Sequence, residues 1–254
     1  MSVSNVDNSG TSLRKVVKKS ETFWRDDRDV VLFTIHQTDD VEVYTMYGVR
    51  KSTLGLGSEF LDLTFGGPQG VFESVSEMYE GLPTMRLLDD PADVDAFLHA
   101  IYFPGYLFKT LEEQKDPEVG LLRIPPTYPG ILRLAEKLVA PPEVIRAVTS
   151  AFEELYSTFM RKWMDREGVL MDNAYDDLDI TPNSEGQESA WDITRHFSDP
   201  VFAYNLAKGL PSLYNILPTV AYDIAHARAT FDPSSGYPFR RIDITRLAEQ
   251  DRQD

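Results

Sequence analysis

Asp29-Val30-Val31-Leu32-Phe33-Thr34-Ile35, followed after Asp39-Asp40 by Val41-Glu42-Val43-Tyr44-Thr45-Met46-Tyr47, is the stretch on which the fold turns. The first run is rich in β-branched and aromatic residues, and the second alternates as a half-buried strand does. The two aspartates between them supply turn chemistry, so the pair reads as a hairpin. Val49, Leu54, Leu56, Phe60, Leu61 and Phe65 follow at a looser, helix-like spacing interrupted by Gly55 and Gly57. Each glycine costs a helix about 1 kcal/mol relative to alanine, so tertiary packing must hold this helix together. The apolar face it presents needs cover, from the chain's own core or from a partner. Periodicity identifies such a face but not what buries it.

Downstream, Gly66-Gly67-Pro68-Gln69-Gly70 breaks the chain, and Gly81 to Leu88 reads as a third short strand, with Pro83 tolerated only near its start. Asp89-Asp90-Pro91 then opens a helix, with acids where the helix dipole favours them. Val94, Phe97, Leu98, Ile101 and Tyr102 form its apolar stripe, His99 lies off that stripe, and Pro104-Gly105 ends it. Pro117, Pro125, Pro126 and Pro129 mark an irregular insertion at about 105–130. Helical spacing resumes from Ile131 to Leu138, breaks at Pro141-Pro142, and restarts through Val144, Ile145, Val148, Phe152 and Leu155. Phe159, Trp163 and Met164 extend that pattern. An acidic linker is expected at about 172–190, containing Asp176-Asp177, Asp179 and Pro182. A last helical unit runs through Phe202, Leu206, Ala207, Leu213, Leu217, Val220, Ile224 and Phe231, with a short helix at Ile242 to Leu247. At the other end, residues 1–21 lack apolar periodicity and read as a disordered tail.

The composition, 42% hydrophobic and 26% charged over 254 residues, is that of an ordinary globular chain with a sizeable core. A formal net charge of -16 repels phosphate backbones, so no nucleic-acid partner is expected. Arg14-Lys15-Val16-Val17-Lys18-Lys19 is a local exception, read either as a nuclear-import signal or as a solvated tail. The chain has no Cys, which excludes disulfides, thiolate nucleophiles and Cys-ligated metals. It has no apolar run of membrane-spanning length and no signal-like apolar core near Met1. An intracellular protein of the cytoplasm, the nucleus or both is therefore expected, without a membrane partner.

Little in the sequence points to chemistry. His36, His99, His196 and His226 are the four histidines, and no two share the i, i+4 spacing of a metal-binding helix. Carboxylate pairs such as Asp26-Asp27, Asp39-Asp40, Asp89-Asp90 and Asp176-Asp177 follow from an acidic composition. Gly55-Leu56-Gly57-Ser58 lacks both a third glycine at dinucleotide spacing and a Gly-Lys-Ser/Thr, and no Gly-x-Ser-x-Gly elbow occurs. No enzyme activity, cofactor or metal is expected. An enzyme would require at least two of these histidines or carboxylate pairs to converge in one cleft.

Three separated runs, in order, resemble a BTB/POZ domain. The first is Asp29-Val-Val-Leu, then Tyr47-x-Val49-Arg50-Lys51-x-x-Leu54, Ser58-x-x-Leu61 and Phe65, with Arg50 standing where that family usually has His. The second is Tyr79-Glu-Gly-Leu-Pro-Thr-Met-Arg-Leu-Leu-Asp-Asp with Phe97-Leu-x-Ala-Ile-Tyr-x-Pro, which is similar to fungal BTB-containing proteins. The third is the Leu134-Ala135-x-Lys137 run, its break and the helix through Phe152. Asn205-Leu-Ala and Leu217-Pro-Thr-Val-Ala-Tyr-Asp-Ile-Ala resemble the helical extension of the same fungal proteins.

The resemblance implies an α+β fold, a BTB/POZ domain over 22–156 followed by a helical C-terminal region over 157–250. It also implies a protein-interaction module that forms homodimers or hetero-associates. Val30, Leu32, Val49, Leu54, Leu56 and Phe60 are then the candidate interface, each being either core or contact surface. Met78-x-Glu80 fits the hydrophobic-x-Glu pattern by which adaptor-type members bind a cullin-3 scaffold of ubiquitin ligases, and Val71-x-Glu73 fits it equally.

Overall fold

Strand β2 (Val30–Gln37) is paired along both edges, and the first part of the fold is built outward from it. This computed structural model describes residues 14–38, 40–66, 77–114, 123–178, 199–229 and 244–252. Those up to Tyr102 form one compact unit and those from Phe103 a second. That division does not coincide with the expected boundary between 156 and 157. Mixed helix and sheet make the chain α+β.

In the first unit β2 runs antiparallel to β3 (Val41–Val49), from Val30 opposite Val49 to Gln37 opposite Glu42, which is the expected hairpin. The third strand is β5 (Leu82–Arg86), preceded by the two-residue β4 (Met78–Tyr79) with which it forms a second hairpin. β5 is parallel to β2, pairing Val31 with Thr84 and Phe33 with Arg86. The parallel arrangement requires a crossover between β3 and β5. Helices α1 (Lys51–Gly57) and α2 (Glu59–Gly66) lie in that connection.

The sheet carries a strand that sequence reasoning missed. β1 (Arg14–Trp24) lies parallel to β3, Arg14 opposite Val41 and Lys18 opposite Thr45, so the sheet order is β1-β3-β2-β5-β4. The disordered tail expected over 1–21 is corrected for residues 14–21. Its residues 14–22 are mostly exposed, which is why they show no apolar alternation. Backbone pairing and the burial of Phe23 at its far end hold it instead.

The expected single helix after the hairpin is two. Ser58 between them is extended (φ -164°, ψ 121°), and its side-chain oxygen accepts the Leu61 backbone N–H at 3.1 Å, capping α2. Helix α3 (Pro91–Tyr102) starts as expected, with the Asp90 carboxylate accepting the Ala92 N–H at 2.9 Å. Its stripe of Val94, Phe97 and Leu98 is fully buried, together with Phe23, Val30, Val31, Leu32, Val49, Leu54 and Leu61. The Tyr47 hydroxyl enters this core and donates to the Pro91 carbonyl at 2.8 Å, and burial pushes its pKa far above the ordinary phenol value.

In the second unit the region expected to be an irregular insertion contains α4 (Tyr106–Glu112), and α5 (Tyr128–Lys137) begins before Ile131. Pro129 sits in the first turn of α5, where a missing N–H costs nothing, so it opens the helix instead of preventing it. The buried Tyr128 donates to the Leu107 carbonyl at 2.6 Å, tying α5 to α4. Helix α6 (Pro142–Leu155) follows the Pro141-Pro142 break. Helix α7 (Met160–Leu178) runs six or seven residues into the stretch expected to be an acidic linker, since nothing between Met160 and Leu178 except Gly168 opposes a helix. Helix α8 (Pro200–Gly209), a 3₁₀ segment (Pro211–Ile216) and α9 (Leu217–Ala229) make up the last helical unit. Phe231 lies outside the described residues, and the expected short helix near the end is a 3₁₀ turn at Ile244–Arg246.

Gly57 is needed for close approach. A β-carbon built there would fall 2.5 Å from Cγ2 and 2.8 Å from Cγ1 of Ile101 on α3. Gly57→Ala is expected to destabilise the protein by about 1–3 kcal/mol in urea denaturation, against the sign of helix propensity. Most of that loss should vanish in an Ile101→Ala background. Equal losses in both backgrounds would show that the contact with Ile101 is not the cause.

Candidate protein-interaction surfaces

The start of α1 is assembled from three directions. The Asp29 carboxylate accepts the Lys51 N–H at 2.7 Å, bringing a negative charge to the helix N-terminus, and the Tyr102 hydroxyl accepts the Arg50 N–H at 3.0 Å. The Arg50 guanidinium reaches Asp27 at 3.5 Å on the surface. Arg50 thus stands at the helix cap with its backbone satisfied and its charge in solvent.

This anchoring sorts the six candidate interface residues. Val30, Leu32, Val49 and Leu54 are fully buried within the chain, so they are corrected from contact surface to core. The reason is that α3 packs against both β2, which carries Val30 and Leu32, and α1, which carries Leu54, while Val49 ends β3 opposite Val30. Leu56 and Phe60 are different, at 84% and 42% exposed, and Leu63, which sequence reasoning passed over, is 70% exposed. Phe60 and Leu63 are three apart and share a face of α2. The helix pair therefore buries Leu54 and Leu61 inward and leaves three large apolar side chains outward.

Met78 and Glu80 sit on the β4–β5 hairpin. Glu80 and Gly81 both have positive φ, 51° and 79°, as a two-residue turn between right-twisted strands demands. Glycine takes that conformation freely, whereas Glu80 takes it at a cost offset by its partners. Lys19 Nζ lies 2.7 Å and Arg28 Nη2 3.2 Å from its carboxylate oxygens. Both cations rest on the Trp24 ring, at 4.3 and 4.4 Å from its centroid, and Tyr79 meets Trp24 edge-on at 6.0 Å. The hydrogen bond from Lys19, aided by the charges of Lys19 and Arg28, holds the Glu80 carboxyl below its ordinary pKa. Glu80 is thus engaged by its own chain, while Met78 is 57% exposed. Val71 and Glu73 lie outside the described residues.

The described histidines lie on different elements. His36 is near the end of β2. His99 Nδ1 lies 2.9 Å from the Asp95 carbonyl and 3.2 Å from its carboxylate, with Phe23 edge-on to the ring. His226 stacks on Tyr222 in α9, and His196 lies outside the described residues. Of the carboxylate pairs, Asp27 is held by Arg25 and Arg50, and the side chains of Asp39, Asp176 and Asp177 lie outside the described residues. No group of three potential metal ligands occurs among the described residues, nor is any of their helices long and apolar enough to cross a membrane.

The second unit has two open clefts beside the turn from α6 to α7. The larger, about 440 Å³, is of mixed character and is lined by Glu153, Glu154, Lys162 and Asn215 together with Phe159 and Ile216. The smaller, about 250 Å³, is walled by Met160, Trp163, Pro218 and Tyr222. The Trp163 indole N–H donates to the buried Asp223 carboxylate at 2.8 Å, and Arg166 donates to the same oxygen at 2.7 Å, which fixes the indole wall.

Compared with models of known protein families, with curated proteins and with solved structures, the chain matches none.

The Glu80 carboxyl should titrate below the ordinary carboxylate range in side-chain NMR, and return toward it when Lys19→Met and Arg28→Met remove the donors. Because the native value is depressed, the turn's ion pairs are fully in place above the unfolded pKa and are lost as pH falls through the native one. An ordinary midpoint in the unsubstituted protein would mean that the pairs do not form in solution.

Proposed function

We propose that the chain is a protein-interaction module of the BTB/POZ type, acting in the cytoplasm or nucleus, which associates with a second copy of itself through the outward face of α1 and α2. The observation carrying this reading is the exposure of Leu56, Phe60 and Leu63 within eight residues of sequence, on helices whose other side is anchored in the core. Burying such side chains contributes about 1.5–3 kcal/mol each, and a specific dimer need bury only ~1,600 Å² in all. The succession in the first unit also accords with the resemblance: a hairpin, a helix pair, a third strand beside the first, and a helix ending Ile101-Tyr102. The α5–α6 pair has the helix, break and helix form that the resemblance implies, but it belongs to the second unit.

A second reading makes the chain an adaptor that docks a cullin-type scaffold at the Met78 turn and holds a target with its C-terminal helices. The exposed Met78 and the apolar cleft around Trp163 favour it. A scaffold that uses the Glu80 carboxylate must compete with Lys19 and Arg28 for it.

Light scattering across a concentration series tests the first reading: the unsubstituted chain should pass from monomer to dimer at micromolar concentrations, and Leu56→Asp and Phe60→Asp should abolish the transition with the circular dichroism spectrum unchanged. Leu54→Asp is unsuitable because that side chain is fully buried and a charge there unfolds the unit. A monomer at every concentration would reject self-association. For the second reading, calorimetry with a cullin-3 N-terminal domain should give binding that Met78→Asp removes; no heat at tens of micromolar would end it.

A further inference from the structure

β1 leaves one edge of the sheet open. It pairs only with β3, and among the described residues no strand lies on its other side. The Arg14 N–H donates to the Asp40 carbonyl at 3.2 Å, so residue 14 directs its backbone groups toward β3. Alternation then turns Val16 and Lys18 the same way and directs the N–H and C=O groups of Lys15, Val17 and Lys19 outward. Val17 is 50% exposed, and Lys15 and Lys19 are exposed as well.

The charges on this edge are set against those of the rest of the chain. The protein carries 41 acids against 25 Lys and Arg, but β1 holds Arg14, Lys15, Lys18 and Lys19 against Glu21 alone. On one face Lys19 is taken up by Glu80, and Lys15 stands 3.9 Å from Glu42. On the other face Arg14 and Lys18 have no acidic partner among the described residues.

We propose that the open edge of β1 is a docking strand for an extended acidic segment of a partner protein. The segment adds to the sheet through the outward backbone groups of Lys15, Val17 and Lys19, and is selected by Arg14 and Lys18. Strand addition supplies affinity through main-chain hydrogen bonds and specificity through alternate side chains. Arg14 and Lys18 are four residues apart, so the matching segment carries acids at the same interval on the same face, about 13 Å from one to the next in extended chain.

Charge excludes the other occupants. A second β1 would bring four cations against four, and basic edge strands resist this kind of self-pairing. A nucleic acid would match the cations but cannot pair with alternating N–H and C=O groups, and the net charge of the chain opposes it. This inference is independent of the BTB/POZ reading and of the α1–α2 face.

The test uses the intact chain and four labelled probes, read by fluorescence anisotropy. The first is a peptide as long as β1 in which Glu recurs at every fourth position of a Thr/Val strand. The others are its Lys counterpart, its twin N-methylated along one edge, and oligothymidine. The Glu peptide should bind at least about tenfold more tightly than the Lys and N-methylated peptides. Binding should weaken as salt rises and should protect the Lys15 and Val17 amides from hydrogen exchange. The double substitution Arg14→Glu, Lys18→Glu should reverse the preference between the Glu and Lys peptides. Equal binding of the N-methylated twin would reduce the effect to bulk charge and overturn the proposal, and so would tighter binding of oligothymidine or no binding of the Glu peptide. The peptide arms leave the protein unaltered, so they decide the matter even where the double variant fails to fold.

Discussion

The first unit depends on the backbone of β2 finding partners on both sides. Its Val30 to Leu32 segment pairs with Val49, Gly48 and Tyr47 on one edge, and Val31 and Leu32 pair with Thr84 and Met85 on the other. A strand in this position has no free edge, and its Val30, Val31, Leu32 and Thr34 side chains are fully buried. The antiparallel neighbour needs only a short turn, whereas the parallel neighbour must arrive by a crossover. α1 and α2 occupy that crossover, with Leu54 and Leu61 turned inward. The outward residues Leu56, Phe60 and Leu63 are what remains when a short, glycine-containing helix pair is held down on one side only.

Electrostatics divide the molecule into local compartments. In the second unit the Arg166 guanidinium is buried, and it donates to the Leu155 carbonyl, to Asp223 and to Glu167. Burying a charge is costly unless its hydrogen bonds are met, and these three acceptors meet much of that demand. The neighbouring Tyr156 hydroxyl is buried so completely that its pKa is pushed well above the ordinary phenol value. In the first unit the cations gather on β1 and at Arg25, Arg28 and Arg50, and most find an acid or an aromatic ring close by. Arg14 and Lys18 stand apart from that pattern, on a strand that among the described residues pairs along one edge only, with Val16 and Val17 between them.

On the proposed readings, association would use two different surfaces. One helix face offers apolar area and one sheet edge offers hydrogen bonds and positive charge, so the two surfaces suit different occupants. Shape and apolar burial would govern the first, and charge and strand register the second. The Met78 hairpin is a third exposed feature, but its carboxylate is committed internally, which raises the cost of any partner that competes for it.

Local periodicity alone determined the β2–β3 hairpin, the short strand before Asp89-Asp90-Pro91, the stripe of α3 and the positions of most later helices. Val94, Phe97 and Leu98 repeat at helical spacing, and Val30 to Ile35 carry strand propensity regardless of what surrounds them. Other outcomes were decided only in three dimensions. Arg14 to Lys19 has no burial pattern to betray a strand, because its stability comes from a backbone ladder to β3 that side chains do not encode. Pro129 reads as a helix breaker until its place in a first turn is known, and the acidic half of α7 reads as a linker because charge and helicity are separate properties. Leu54 and Leu56 are two residues apart and chemically alike. Helical geometry sets them on opposite faces, and which face is core was decided by the packing of α1 against α3.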